Sequence, residues 1–443
     1  MLDIKYLKIM RLGAIALFTA ALTACGGGDS TTPTPPPPVV DGAVSIDPAL
    51  VQPLTVDPNS AFTALKGSVV QSTSPTKVYF TVTDSAGHPV QGLTLNGAAG
   101  GNCGTYNIRA AMAVLTPPQT VSPDGRSDWQ NLITRIRPAA SNPNGYKEGT
   151  TDPSPTATNT TDGVGSLTYN VAGYYTYTFG TPLTDPAYSS TTAAPTSGTI
   201  TTDGHALVKG STSTYRVALQ ICFVDSTGKT VNVNPWFDFT MGTDGLSKAV
   251  TDLTKTKKVV DRTSCNDCHG ALNMHGGRRV DPNYCVMCHN RGSVDFNDNN
   301  LADLGYPDGG APITLTYMVH KFHRGELLTK DYQVVDAIAR HDTHILLADG
   351  VSTIIEGTQY PQDQRNCITC HDNAKNPTQG DNWKKVPNRV ACGACHDGIN
   401  FATGTGYTIN PDVAWHALGH IGGAQADDSQ CVLCHTSDSI SKV

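Results

Sequence analysis

The sequence predicts a multidomain chain: an N-terminal all-β Greek-key barrel or sandwich, then a mostly irregular domain of short helices. Three observations carry that reading. Turn-bounded runs of β-branched and aromatic residues occupy the first part of the 443-residue chain. Near residue 255 the composition shifts toward Gly, Asp and Asn. Beyond that point one short pattern, Cys-x-x-Cys-His, recurs five times.

At the N-terminus, Lys5, Lys8 and Arg11 precede an apolar run, Leu12 to Leu22, that is too short to span a bilayer and reads as a signal peptide. It ends in LTAC, which resembles a bacterial lipobox and predicts a signal of residues 1–24 cut before a lipidated Cys25. An ordinary secretory signal that happens to hold a cysteine is the plainer alternative. Gly26 rather than Asp follows Cys25, so no inner-membrane retention signal is apparent, and an outer-membrane lipoprotein at the cell surface is expected. Several acyl chains on one residue anchor firmly. Residues 25–42 form a Gly/Pro-rich linker, flexible and then stiff and extended.

Residues 43–254 form the expected β domain. KVYFTVT (Lys77–Thr83) alternates and meets the turn Asp84-Ser85-Ala86-Gly87; Ser166–Phe179 and Tyr215–Asp225 are similar runs. Thr150–Gly165 and Asp185–Gly204 read as long polar loops, and His88 and His205 as loop residues rather than ligands. Cys103 and Cys222 are the two cysteines of this region. In an oxidising compartment they form a disulfide candidate, worth about 4–5 kcal/mol by loop entropy, with two free thiols as the alternative.

The last region, residues 255–443, holds Cys265/Cys268/His269, Cys285/Cys288/His289, Cys367/Cys370/His371, Cys392/Cys395/His396 and Cys431/Cys434/His435. Two thiols three apart can add across the vinyl groups of a haem while the adjacent imidazole ligates its iron. A zinc array would not demand a histidine after every pair. The motifs therefore predict five covalent haem c groups per chain, each with its motif histidine as proximal ligand. Apolar residues are too sparse here for a conventional core, so the porphyrins are expected to supply one, and folding to depend on them.

Seven further histidines lie in this region: His275, His320, His323, His341, His344, His416 and His420. A second imidazole closes an iron to substrate and suits electron transfer. The glycines of HGGRR let His275 approach a haem face, with Arg278 or Arg279 placed to pair with a propionate. His320 and His323, spaced i, i+3, would serve two neighbouring irons from one helix.

CNDCHGALNMHGGRR, YCVMCHN, MVHKFHRGE, YPQDQRNCITCHD, ACGACHDGINF and HIGGAQADDSQCVLCH together resemble the first pentahaem domain of the OmcA/MtrC family of outer-membrane decahaem c-type cytochromes. The resemblance is strong over 255–443 and weaker over 43–254, where DWQNLI (Asp128–Ile133) is compatible. It implies closely packed bis-His haems and electron transfer to extracellular metal oxides or flavins. It also implies partnership with other multihaem cytochromes and an outer-membrane barrel conduit. It selects His275, His320, His323 and His420 as distal ligands, with His416 as fallback for the last and His341 and His344 as weaker candidates. Two departures stand out. Only half of the decahaem layout is present, so the chain is either a pentahaem form or a fragment. An apparent insertion, Asp336–Gly357, carries His341 and His344. The family's fifth distal histidine follows the last motif, where TSDSISKV has none. One iron is thus expected to be open, or filled by His341, His344 or the second of His416 and His420.

The alternative function is a pentahaem periplasmic reductase acting on a small molecule such as nitrite at an open haem; no Cys-x-x-Cys-Lys motif accompanies it. An electron-transfer protein rather than a classical enzyme, at most a terminal metal reductase, is the stronger expectation. The net charge of −7 and the lack of a basic patch exclude a nucleic-acid partner.

Overall fold

The computed structural model describes residues between Val70 and Ile440. Residues 1–69 and 441–443 lie outside the described residues, as do internal stretches, the longest being 153–164, 181–208, 296–310 and 407–418. The signal peptide, Cys25, the linker, His88, His205, His341 and His416 therefore fall outside the described residues, and of His344 only the backbone is described.

Among the described residues twelve strands precede residue 255: β1 (Val70–Gln71), β2 (Lys77–Phe80), β3 (Ile108–Thr116), β4 (Asp128–Asn131), β5 (Thr134–Ile136), β6 (Lys147–Gly149), β7 (Ser166–Asn170), β8 (Tyr174–Thr178), β9 (Tyr215–Val224), β10 (Thr230–Val233), β11 (Trp236–Met241) and β12 (Ser247–Ala249). They form an antiparallel sheet β1-β2-β8-β7 and a second, β12-β11-β9-β3-β4, with β10 also on β9; β5 and β6 pair separately. Both sheets are closed by strands far apart in sequence. The run Ser166–Phe179 folds as two strands, the hairpin β7-β8.

Alternation along β3 explains the layering. Ile108, Ala110, Met112 and Val114 enter the core between the sheets, with Val217, Leu219 and Ile221 from β9 and Val78, Phe80, Tyr175 and Tyr177 from the facing sheet. A disulfide joins Cys103 to Cys222 across 119 residues, their Cα atoms 5.4 Å apart. The other face of β3 carries Arg109, Ala111 and Ala113, opposite Gln220, Ala218 and Arg216 of β9.

That second face is also covered. Ala111, Ala113, Ala218 and Trp129 pack against Tyr284 and Met287, which lie around the second Cys-x-x-Cys-His. The small alanine side chains allow the approach; burying Tyr284 and Met287 is worth about 1.5–3 kcal/mol each by transfer. Arg216, fully buried, fixes the junction. Its guanidinium lies 4.2 Å from the Trp129 ring and 4.4 Å from the Trp236 ring. It grips Asp238 with two hydrogen bonds, at 2.6 and 2.8 Å, and donates to the Asn283 carbonyl at 3.0 Å.

After residue 255 the helices are short: α1 (Arg262–His269), α2 (Pro282–Cys285), α3 (Leu315–Arg324), α4 (Asn382–Lys385), α5 (Arg389–Cys395), α6 (Cys431–Cys434) and α7 (Ser437–Ile440). Two-stranded ribbons fill the intervals, one of them, Thr343–Leu346 with Ser352–Ile355, within the inserted segment. The separate apolar cluster here is small, built on Ala311, Leu328 and Tyr332. Ile368, Val432, Leu433 and Ile421 are exposed, Ile421 at 93%. Among the described residues no helix is long and apolar enough to cross a membrane.

Candidate functional site

Each Cys-x-x-Cys-His is one helical turn. The histidine N–H bonds the first cysteine's carbonyl at 2.9 Å for His289 and His371 and at 2.8 Å for His396 and His435. That i, i−4 bond stacks the imidazole over the first thiol, with the second thiol at i+3 beside it. Local capping sets where the turns begin. Asp261 accepts from Thr263 N ahead of α1, Asp281 from Asn283 N ahead of α2, and Asn388 from Ala391 N ahead of α5. Pro282 occupies the first helical position of α2, and Gly270, at φ 66°, ends α1.

None of the ten motif cysteines, Cys265, Cys268, Cys285, Cys288, Cys367, Cys370, Cys392, Cys395, Cys431 and Cys434, is taken up in a disulfide. Two of them are engaged by side-chain amides that the motif spacing does not announce. Cys288 Sγ accepts from Asn131 Nδ2 of β4 at 3.3 Å, and the exposed Cys268 Sγ accepts from Gln362 Nε2 at 3.7 Å. The reason is tertiary. Folding lays β4 against the second motif and the stretch before the third motif against the first, and a sulfur accepts weakly from whichever N–H lies close. A thioether sulfur keeps that acceptor ability, so neither contact conflicts with the motif chemistry.

Four of the five motif histidines face a histidine from elsewhere. Ring centroids are 6.1 Å apart for His269 and His323, 5.8 Å for His289 and His275, 6.2 Å for His371 and His320, and 6.3 Å for His435 and His420. Two trans imidazoles each about 2 Å from one metal put their ring centres roughly 6 Å apart, so all four spacings fit an iron between the rings. Among the described residues no imidazole faces His396, and no three His, Cys, Asp or Glu side chains converge on a compact ion site. The arrangement is one of four facing imidazole pairs.

Backbone carbonyls fix the tautomers. His289 Nδ1 lies 2.8 Å from the Ile313 oxygen, His323 Nδ1 2.7 Å from that of Val319, and His420 Nδ1 2.9 Å from that of Gly423. A carbonyl only accepts, so Nδ1 carries the proton and Nε2 keeps its lone pair for a metal. Burial, with the charge of Arg279, pushes His275 down to about 3. Burial takes His320 and His371 each to about 4, with the neighbouring His371 and His323 adding to the effect on His320. All three are neutral, the form that ligates. His275 sits in a tight loop at φ 54°, followed by Gly276 and Gly277 at φ 70° and 84°.

The sites adjoin one another. His320 and His323 lie one turn apart on α3 and face His371 and His269. Burial pushes up the thiols of Cys265, Cys285, Cys395 and Cys431, and neighbouring motifs add to it: Cys265 acts on Cys285, Cys370 on Cys265, Cys367 on Cys395 and Cys392 on Cys431. Cys268 in turn acts on Cys370, and Cys288 on Cys285. Charges interact this way only over short separations. The second and first motifs, the first and third, the third and fourth, and the fourth and fifth therefore lie near one another.

Two struts brace this line without being evident from the motifs. Lys321, between His320 and His323, pairs with Asp397, which directly follows His396, at 2.8 Å. Arg389 and Asp428 join α5 to the approach to α6 at 2.8 Å. Arg216 and Gln220 of the β sandwich also reach the segment ahead of the second motif, at the Asn283 carbonyl and at Arg279. Their only sequence signal is polarity at alternate positions of an otherwise apolar strand.

Residues 257–443 match the family model for outer membrane cytochrome MtrC/MtrF-like, domains II/IV. The multiheme cytochrome MtrC of Shewanella baltica (strain OS185) is 27% identical over 441 residues, covering 99% of this chain and 48% of that protein. The crystal structure of MtrC from Shewanella baltica OS185 aligns with a TM-score of 0.48 at 25% identity, covering 84% of this chain and 43% of that one. The chain thus spans about half the length of these relatives.

Proposed function

We propose, on the premise that this chain belongs with the OmcA/MtrC outer-membrane multihaem cytochromes and that residues 257–443 are an MtrC/MtrF-like domain, that it is a linear electron relay. Five haems, each carried on one Cys-x-x-Cys-His, pass electrons to extracellular acceptors such as metal oxides, flavins or other cytochromes. The observation that carries this is the four facing imidazole pairs, each joining a motif histidine to a distant one at 5.8–6.3 Å. An iron closed on both sides exchanges electrons and leaves no position for a small substrate. His275, His320, His323 and His420 act as distal ligands to the second, third, first and fifth motifs respectively.

The protein's own residues orient the axial ligands and hold neighbouring sites together through α3. The exposed apolar residues and small apolar clusters beyond residue 255 fit a domain whose core is completed by porphyrin. An N-terminal lipid on Cys25 tethers the protein to the outer membrane, where a barrel conduit and other multihaem cytochromes supply electrons. Purified protein should give five haems per chain by pyridine haemochrome, and dithionite-reduced protein should be reoxidised rapidly by soluble flavin or chelated ferric iron. Fast turnover of nitrite with slow reoxidation by those acceptors would favour the reductase instead.

A further inference from the structure

The β sandwich presents to the His275–His289 site a set of buried polar groups that relaying electrons does not require. Arg109 of β3 and Gln220 of β9 stand directly opposite in the ladder, on the face turned from the sandwich core, 5% and 2% exposed. Across from them, Arg279 Nε lies 3.5 Å from Gln220 Oε1, and its guanidinium lies 5.8 Å from the Tyr284 ring. The Gln220 amide nitrogen and the Tyr284 hydroxyl are buried and have no hydrogen-bond partner, and Tyr284 is 1% exposed. Arg278 Nε is also unpartnered, although its Nη1 donates to the Cys103 carbonyl at 3.1 Å. Among the described residues neither Arg278 nor Arg279 forms an ion pair. Buried donors left open in this way are costly unless a ligand completes them. The charges of Arg279 and Arg109 both bear on Tyr284, and that of Arg279 on both His275 and His289.

Guanidinium forks, an amide N–H and a phenol in one place are the chemistry of a carboxylate site. We infer that the sandwich supplies one wall of a carboxylate cradle, Gln220 and Arg109 facing Arg279 and Tyr284, which takes the propionates of the haem between His275 and His289. The same cationic wall favours the reduced state of that haem and holds its potential up. The β region is then part of the relay, tuning its first member in space, rather than a spacer. This inference rests on the haem reading above.

The test uses the full haem-loaded protein and an NMR-monitored redox titration, which follows the methyl resonances of each haem separately. Arg279→Gln is expected to weaken the reduced state of one haem about tenfold, a fall of about 59 mV for a one-electron couple. Arg279→Lys should recover most of the shift. Gln220→Leu, made in the sheet alone, should lower the potential of that same haem and no other. The inference is overturned if all potentials move together, if none moves, or if Gln220→Leu leaves untouched the haem that Arg279→Gln affects. Where Arg279→Gln does not mature, Tyr284→Phe takes its place under the same criterion. Too few haems in the unsubstituted protein would instead defeat the relay reading, so the two failures are distinguishable.

Discussion

Replacing Lys321 by Met should cost far more than its single charge suggests. Lys321 lies on α3 between His320 and His323, and its Nζ is 2.8 Å from Asp397 Oδ2, with both side chains 3% exposed. Asp397 also accepts from Thr329 N and Thr329 Oγ1, each at 3.1 Å. Its neighbour His396 belongs to the fourth motif, so the pair ties three sites together. Removing one member of a buried pair leaves an uncompensated charge and costs about 3–5 kcal/mol. Lys321→Met leaves the Thr329 donors on the carboxylate and belongs near the lower end, about 3 kcal/mol. Asp397→Leu strands both the ammonium and the Thr329 donors and belongs near the upper end, about 5 kcal/mol. Denaturant unfolding followed by haem absorbance measures both. In a double-mutant cycle with Asp397→Asn, the coupling should fall in the range of about 1–3 kcal/mol expected for contacting residues. A loss below about 1 kcal/mol for Lys321→Met, the level of an exposed ion pair, would refute the claim that this strut is buried and shared.

Arg216→Lys should loosen the junction between sandwich and haem segment, because an ammonium cannot keep the two-pronged grip on Asp238, the stacking between Trp129 and Trp236 and the Asn283 bond together. Limited proteolysis should then cut near residues 255–260, and unchanged resistance would argue against it. Protein made without haem attachment should keep a protease-resistant β region while the chain beyond residue 255 is digested, and a resistant haem-free C-terminal half would contradict the role given to porphyrin.

The motif histidines were legible because the information is local. A Cys-x-x-Cys-His closes in one turn wherever it occurs, and the caps Asp261, Asp281 and Asn388 sit just ahead of three of them. The distal partners were not legible from spacing. His275 lies fourteen residues from His289, whereas His320 lies about fifty from His371, and only the resemblance selected among seven candidates. The fold places those four opposite motif rings. The amides on Cys268 and Cys288 were equally hidden, since Gln362 and Asn131 are 94 and 157 residues away. In the β region, β2 and β9 alternate clearly, but β3 reads IRAAMAVLT, whose alanines suit a helix as well as a strand. Its identity comes from pairing with β9 and from the need for small side chains beneath Tyr284 and Met287. The struts Arg216–Asp238 and Lys321–Asp397 likewise join residues that only tertiary structure brings together.

Four named imidazole pairs should each enclose an iron, and electron paramagnetic resonance of the fully oxidised protein, integrated against the haem count, tests this most directly. At least four low-spin, bis-imidazole irons per chain are expected. One should be distinctly more anisotropic, because the His269 and His323 rings are near perpendicular at 88° while the other pairs lie at 32–43°. Perpendicular rings leave the two iron dπ orbitals nearly equal in energy, which spreads the signal. Fewer than four low-spin irons per chain, with the remainder high-spin, would contradict the pairing.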